Sequence, residues 1–293
     1  MFHERKNFLY MNIIDFHVHT FPEKIAARAL EALSGKSHTK YFTDGTIKSL
    51  AHSMSEAKIN ISVLQPVATK PEQVSKINDS AIIQNQDTKI FSFGAIHPDC
   101  KNISEEFAKL SRSGVKGVKI HPVYQGVKID DSRFIKILTL AGKFNLCVMI
   151  HAGFDIGFAG NDNALPSRIA KALDLAENVR VILAHMGGWR CWEDSIKFFA
   201  GRENVYIDTA FSLGEFTPNG DNFYTSQEQC KMLDAQKFTQ IIKIFGADRV
   251  IFGTDSPWSS QIQCVKDFNS LKLSESEKNL ILYKNAAKIL GLR

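Results

Sequence analysis

The sequence is poor in the features that mark secreted, membrane-embedded or nucleic-acid-binding chains. Its 293 residues include five cysteines, Cys100, Cys147, Cys191, Cys230 and Cys264, with no C-x-x-C pair. An odd, scattered set excludes a disulfide framework and suits a reducing compartment, so a cytoplasmic location is expected. No apolar run approaches the roughly 18 residues of a membrane span, and no membrane partner is expected. Residues 1–11 carry Glu4, Arg5 and Lys6 without a following apolar stretch, which reads as an N-terminal extension rather than a signal peptide, Met11 being an equally good start. There is no basic stripe: the net charge of +5 is spread along the chain, which favours small anionic molecules over nucleic acid.

What is present is ordinary globular material, 44% apolar and 23% charged, arranged in a repeating pattern. Eight short apolar runs, rich in Val, Ile and Phe, end in polar tips: Asn12–Thr20, Ile61–Ala68, Ile90–Pro98, Gly117–Pro122, Leu146–Gly153, Val179–Gly188, Val205–Phe211 and Val250–Trp258. They are too short for buried helices and predict strands covered on both faces. Helical spacing lies between them, as in Ile103, Phe107 and Leu110, in Phe134, Ile137, Leu138 and Ala141, and in Ile169, Ala172, Leu173 and Ala176. Strand–helix alternation implies parallel strands, and eight repeats close a (β/α)8 barrel. An open doubly wound sheet would show a glycine-rich phosphate fingerprint after its first strand, where this chain has Asp15-Phe16-His17-Val18-His19. The expectation is an α/β, TIM-type barrel, one domain over residues 12–293. Two long connections, Phe21–Asn60 with two helices and a loop near Ser34–Gly45, and Gly214–Thr225, follow strand ends and should overhang the mouth. Glu275–Leu290 reads as a closing terminal helix.

The strand tips carry the chemistry. His17 and His19, two apart on a strand, leave one face and are able to converge on one ion. With nine histidines in the chain, about 0.3 H-x-H pairs arise by chance, so the setting decides. His151, His185 and Asp255 close three further runs. Burying these polar groups together without a cation leaves each in need of a partner at ~1–3 kcal/mol. Each has a plainer reading: a hydrogen-bonded core histidine for His151 or His185, a helix cap for Asp255. His97 and His121, each followed by proline, read equally as rim or structural residues. Arg168, Trp189, Arg190 and Trp258 lie just past strand tips and are candidate substrate contacts.

Asp15-Phe16-His17-Val18-His19, Ile150-His151, Ala184-His185-Met186-Gly187-Gly188 and Gly253-Thr254-Asp255-Ser256-Pro257, in that order, resemble the amidohydrolase superfamily, in its aminocarboxymuconate-semialdehyde decarboxylase-like branch. The resemblance runs from strand one to strand eight. It implies that His17, His19, His151 and Asp255 ligate one divalent cation per chain, usually Zn²⁺, with Mn²⁺ and Fe²⁺ open. It implies catalytic roles for Asp255 and for His185, the latter as a further ligand or as the group orienting the activated water. Lys119 falls where binuclear relatives carry a carboxylated lysine, but the branch is mostly mononuclear, which leaves Lys119 to offer a cation to substrate; His121 shares its face. The activity implied is a metal-dependent hydrolase using metal-activated water on a small carbonyl- or carboxyl-containing substrate. The alternative is a non-oxidative decarboxylase or hydratase on the same mononuclear site; a catalytically silent sensing barrel is the third reading. Metal-dependent nucleases generally need a glutamate at a middle strand tip to bind a second ion, and none stands at the tips ending in His97 or His121; phosphoesterases are disfavoured for the same reason. A homodimer is the default oligomer.

Overall fold

Every predicted apolar run forms a strand, and all the strands are parallel. The computed structural model describes residues 12–176 and 178–292; the predicted extension, residues 1–11, lies outside the described residues. The strands are β1 (Ile14–Val18), β2 (Ile61–Leu64), β3 (Ile90–Ser92), β4 (Gly94–Ala95), β5 (Gly117–Ile120), β6 (Cys147–Ile150), β7 (Val181–Leu183), β8 (Val205–Asp208) and β9 (Val250–Ile251). The third run is split at Phe93, so β3 and β4 together make one stave. β1 to β3 pair in order, as do β4 to β9. The ring is closed by backbone hydrogen bonds from the last stave to the first: Phe16 N to Phe252 O at 2.9 Å, Asp255 N to His17 O at 2.8 Å, and His19 N to Ser256 O at 2.6 Å. Closure matters for function, because it brings the His17 and Asp255 backbones into direct contact.

The barrel fills because side chains alternate along each strand. Met149, Ile182, Tyr206 and Ile251 pack with Ile14, Phe16 and Phe93 in the inner cluster. Their neighbours Val148, Val181, Val205 and Val250 meet the helices outside. β1 needs a change of phase to serve both the inner core and the mouth. Its register against β2 slips between Asp15 and Val18, and a bulge of that kind re-aims the following side chains. Phe16 therefore stands edge-on to Phe93, at 5.4 Å between ring centroids, while the adjacent His17 faces Lys119 at the mouth, with Nε2 and Nζ 3.3 Å apart.

The outer layer follows the predicted apolar faces. Along the first half of the chain it comprises α1 (Glu23–Ser37), α2 (Ile47–Ala57), α3 (Val74–Gln84), α4 (Ile103–Arg112), α5 (Ser132–Lys143) and α6 (Pro166–Leu175). It continues with α7 (Trp192–Phe199), α8 (Gln227–Cys230), α9 (Ala235–Phe245), α10 (Gln261–Ser270), α11 (Glu275–Asn279) and α12 (Asn285–Leu290). Side-chain oxygens of Thr46, Asp131, Asp234 and Ser274 cap α2, α5, α9 and α11 by accepting backbone N–H groups. The terminal segment is helical throughout Glu275–Leu290, as predicted, with a π-helical turn at Leu280–Lys284 between α11 and α12. Asn285 follows that turn and donates to Ala247 O and Val250 O, both at 2.7 Å, tying the segment to the base of β9. No helix among the described residues is long and apolar enough to cross a membrane.

The two long connections meet each other. Lys40 N donates to Thr217 O at 2.8 Å, Tyr224 Oη donates to Ser37 O at 2.9 Å, and His38 Nδ1 lies 2.6 Å from Asp221 Oδ2. They form a strap beside the mouth.

The tightness of the inner layer is testable with two glycines. A methyl group on Gly117 would collide with Cys147 O and the Phe93 ring, whereas one on Gly35, in α1, meets nothing within 4 Å. Gly117→Ala should lose about 1–3 kcal/mol in urea unfolding, and Gly35→Ala should gain about 0.5–1 kcal/mol from helix propensity. Equal effects would mean that β5 and β6 do not pack as described.

Candidate metal centre

The residues at the strand tips meet at one end of the barrel. His17 Nε2, His19 Nε2 and Asp255 Oδ1 form a triangle with sides of 3.2 Å (His17 to His19), 3.1 Å (His19 to Asp255) and 3.3 Å (His17 to Asp255). Asp255 reaches this position from a left-handed backbone conformation, φ 65°, held by its N–H bond to His17 O. Behind it Asp15, fully buried, accepts from Thr254 N at 2.9 Å, Thr254 Oγ1 at 2.6 Å and Gln261 Nε2 at 2.7 Å. Burial raises the Asp15 carboxyl to about 6, against the pull of these donors. Asp15 thereby locks the last stave to the first directly beneath the triangle.

Which nitrogen of each ring is bare follows from its outer partner. A backbone carbonyl only accepts, so His185 Nδ1, 3.0 Å from Ala210 O, must carry the proton, and so must His151 Nε2, 3.3 Å from Phe154 O. In the neutral rings, His185 Nε2 and His151 Nδ1 are then lone pairs, and they face each other at 3.2 Å. The same holds for His17, whose Nδ1 lies 2.7 Å from Asp208 Oδ2. Asp208 Oδ1 accepts from His185 N at 2.8 Å and Ala210 N at 3.1 Å, and with Asp208 ionised its Oδ2 accepts from His17 Nδ1–H and leaves His17 Nε2 bare. Protonation does not relieve the crowding. Burial holds His17 and His151 well below the usual imidazole range and brings His185 down to about 4, with Lys119 and the neighbouring rings adding to the depression. Lone pairs on His17, His151 and His185, together with Asp255, are a nitrogen-and-oxygen donor set of the kind that holds Zn²⁺ or a similar ion. Their outer bonds are the supports usual behind such ligands. The residues present fit a divalent cation.

The predicted ligands do not all lie in one cluster. His17, His19 and Asp255 offer ligand atoms within 4.8 Å of one another, while His151 groups in the same sense with His121 and Asp155. His185 links the two, its ring 5.4 Å from that of His17 and 5.0 Å from that of His151. Lys119 is 1% exposed, and its ammonium shares the interior with Asp208. Burial lowers the Lys119 amine and raises the Asp208 carboxyl, and the attraction between the two charges opposes both shifts.

A cavity of about 760 Å³ opens from this centre and is lined by His17, His19, Lys119, His121, His151, His185 and Asp255 among others. Trp189 and Trp258 also line it, as expected. Arg168 and Arg190 do not: Arg168 is drawn to Asp162 at 2.6 Å and Asp130 at 3.2 Å, and Arg190 donates to Gln229 O at 3.1 Å. Position past a strand tip says nothing about where a long side chain turns, and nearby carboxylates claimed the first of these. His97 lies off the cavity, buried, its Nδ1 accepting from Asp99 N at 3.1 Å. Sequence reasoning missed Asp208, Asp155 and Tyr124. Asp208 had a signal, a lone carboxylate ending the apolar run Val205-Tyr206-Ile207.

A profile of the amidohydrolase family matches residues 14–292. No curated protein matches the chain by sequence. Among solved structures, the fold is similar to an uncharacterized TIM-barrel protein from Bordetella bronchiseptica, at 17% identity and a TM-score of 0.71 over 96% of this chain and 98% of that one. It is similar to a 5-carboxyvanillate decarboxylase from Novosphingobium aromaticivorans, described with bound manganese and 3-methoxy-4-hydroxy-5-nitrobenzoic acid, at 13% identity and 0.66 over 97% and 98%. A probable 2-pyrone-4,6-dicarboxylic acid hydrolase from Acinetobacter baumannii, with citric acid bound, is similar at 18% identity and 0.62 over 96% and 100%.

If Asp208 fixes the His17 tautomer, Asp208→Asn should weaken Zn²⁺ binding about 10–100-fold, measured by competition with a fluorescent chelator. An unchanged affinity would remove Asp208 from the account.

Proposed function

We infer that this chain, which belongs to the amidohydrolase family of metal-dependent enzymes, is a hydrolase acting on a small carbonyl- or carboxyl-containing substrate. The observation that supports this reading is the division of labour within Asp255. Its Oδ1 lies against both His17 and His19, while its Oδ2 makes no hydrogen bond among the described residues and the side chain faces the cavity. On this reading one oxygen binds the ion and the other moves a proton.

We assign His17, His19, His151 and Asp255 as ligands of a single divalent ion, with His185 as a further ligand or as the group that orients water. Zn²⁺ suits the nitrogen-rich set, and Mn²⁺ is the ion described in the similar decarboxylase. When bound, such an ion supplies Lewis acidity and a water of lowered pKa. The protein's own groups do the rest. Asp255 Oδ2 takes a proton from water and returns it to the leaving group. Lys119, buried beside His17, draws the negative charge of the substrate towards the centre. His185, fixed by Ala210 O, presents its lone pair and cannot turn away.

A second reading, non-oxidative decarboxylation, is favoured by one observation: Phe21, Tyr124, Phe154, Phe158, Trp189 and Trp258 line the cavity, and aromatic walls suit a ring-bearing acid. On that reading Asp255 protonates the ring carbon as CO₂ leaves.

Both readings are tested on metal-loaded protein with a panel of lactones, amides and carboxylated phenols, following acid production and CO₂ release separately. Acid production identifies the hydrolase and CO₂ the lyase. Asp255→Asn should lower kcat by about 10²–10⁴-fold on whichever substrate turns over. Full turnover in that variant would contradict the assignment of the proton to Asp255.

A further inference from the structure

The turn that follows β5 is fixed at every residue that matters to its shape. Gln125, 6% exposed, accepts from His121 N at 2.9 Å through its side-chain oxygen and donates to Ala68 O at 2.9 Å and Ile96 O at 2.7 Å. Its own N–H bonds to His121 O at 2.9 Å. Inside this turn Tyr124 N donates to His121 Nδ1 at 3.3 Å, which leaves the His121 proton on Nε2.

The Tyr124 side chain is held as firmly as its backbone. Its ring stacks on His121, with centroids 3.8 Å apart and planes 21° from parallel, and leans on Phe158 at 5.3 Å and 46°. His121 stacks in turn on His151 at 4.0 Å and 11°, so the stack reaches the metal centre. Asp155 braces it from the edge. Its Oδ2 lies 3.6 Å from His121 Nε2 and 3.7 Å from His151 Nε2, and its Oδ1 accepts from Gly157 N at 2.8 Å. His121 turns its N–H, not a lone pair, towards Asp155, and the group reads as a brace rather than as a second metal site.

What this framework holds at the cavity is a phenol. Tyr124 is half-buried and lines the cavity together with His151, His185 and Asp255. Its hydroxyl makes no hydrogen bond among the described residues. Burial, reinforced by the charges of Asp155 and Asp255, holds that hydroxyl well above the usual phenol range, so it keeps a hydrogen to give. Lone pairs on His17, His151 and His185 and the oxygens of Asp255 make the inner end of the cavity rich in acceptors. Lys119 Nζ supplies one donor there and Tyr124 Oη a second. A neutral donor fixed in advance needs no reorganisation when negative charge appears on a bound molecule.

We propose that Tyr124 is a catalytic residue whose hydroxyl donates a hydrogen bond to the substrate oxygen on which negative charge builds during turnover. The proposal deepens the function inferred above and rests on it. In the hydrolase reading that oxygen belongs to the carbonyl and gains charge as water adds. The phenol keeps its proton throughout, and Asp255 carries the proton that moves.

The test uses Co²⁺-loaded full-length protein, whose visible spectrum reports ligands at the ion, and two probes. Methylphosphonate offers tetrahedral anionic oxygens, whereas imidazole binds an ion without any oxygen to accept from Tyr124. Wild-type protein should bind both. Tyr124→Phe keeps the ring and its stacking, and should weaken methylphosphonate about 10–100-fold, the range of a hydrogen bond to a charged group, with imidazole and Co²⁺ affinities unchanged. On any substrate that turns over, the same variant should lose about 10²–10³-fold in kcat. Equal binding of methylphosphonate by variant and wild type, or equal weakening of both probes in the variant, overturns the proposal and leaves the metal centre in place. Wild-type protein that binds imidazole alone overturns it as well. Binding of neither probe by the wild type sinks the metal-centre reading and this proposal with it.

Discussion

Three hydrogen bonds on the outer edges of three histidines decide which ring nitrogens face the mouth of this barrel. Ala210 O, Phe154 O and Asp208 take the protons of His185, His151 and His17, so the inward nitrogens are bare: those of His185 and His151 face each other at 3.2 Å, and that of His17 lies 3.2 Å from His19 Nε2 and 3.3 Å from Lys119 Nζ. In water such rings would turn or protonate. Here both escapes are closed, the first by packing and the second by burial, which depresses each imidazole. A divalent cation bound there would convert that repulsion into coordination, and the same outer bonds would orient its ligands.

Everything else positions these partners. Barrel closure sets Asp255 against His17 through a backbone hydrogen bond of 2.8 Å, although the two are far apart in the chain. The slip in β1 lets one strand place Phe16 in the apolar interior and His17 at the mouth. Asp15 and Asp208 are both buried carboxylates on the flanking staves, yet they differ in task. Asp15 ties the backbone and hydroxyl of Thr254 at the last stave and the side chain of Gln261 in α10, whereas Asp208 spends one oxygen on His17 and the other on the loop after β7 and on Ala210.

Much of this was legible in the residues. The apolar runs with polar tips announced the parallel strands and the barrel, because burial on both faces leaves a signal that no loop imitates. His17, His19, His151, His185 and Asp255 were readable for the same reason: a polar residue at the end of a buried run has to be explained. Asp208 was not singled out, since a lone carboxylate becomes meaningful only when the ring brings it beside His17. Asp155 and Tyr124 were invisible because their roles come from stacking across the cavity rather than from spacing. Arg168 and Arg190 were read as substrate contacts from position alone, and partners away from the cavity drew both aside. The bulge in β1, the break at Phe93 and the π-helical turn at Leu280–Lys284 are local accommodations to closure that periodicity does not record.

The family assignment makes the chain an enzyme, and the donor geometry supports a metal centre at the strand tips. The most direct test is an anomalous-difference map from crystals of Zn²⁺-loaded protein collected across the zinc edge. The account predicts one peak about 2.0–2.2 Å from His17 Nε2 and an oxygen of Asp255, with the outer hydrogen bonds of His17, His151 and His185 intact. A peak elsewhere, or none at full loading, would contradict it.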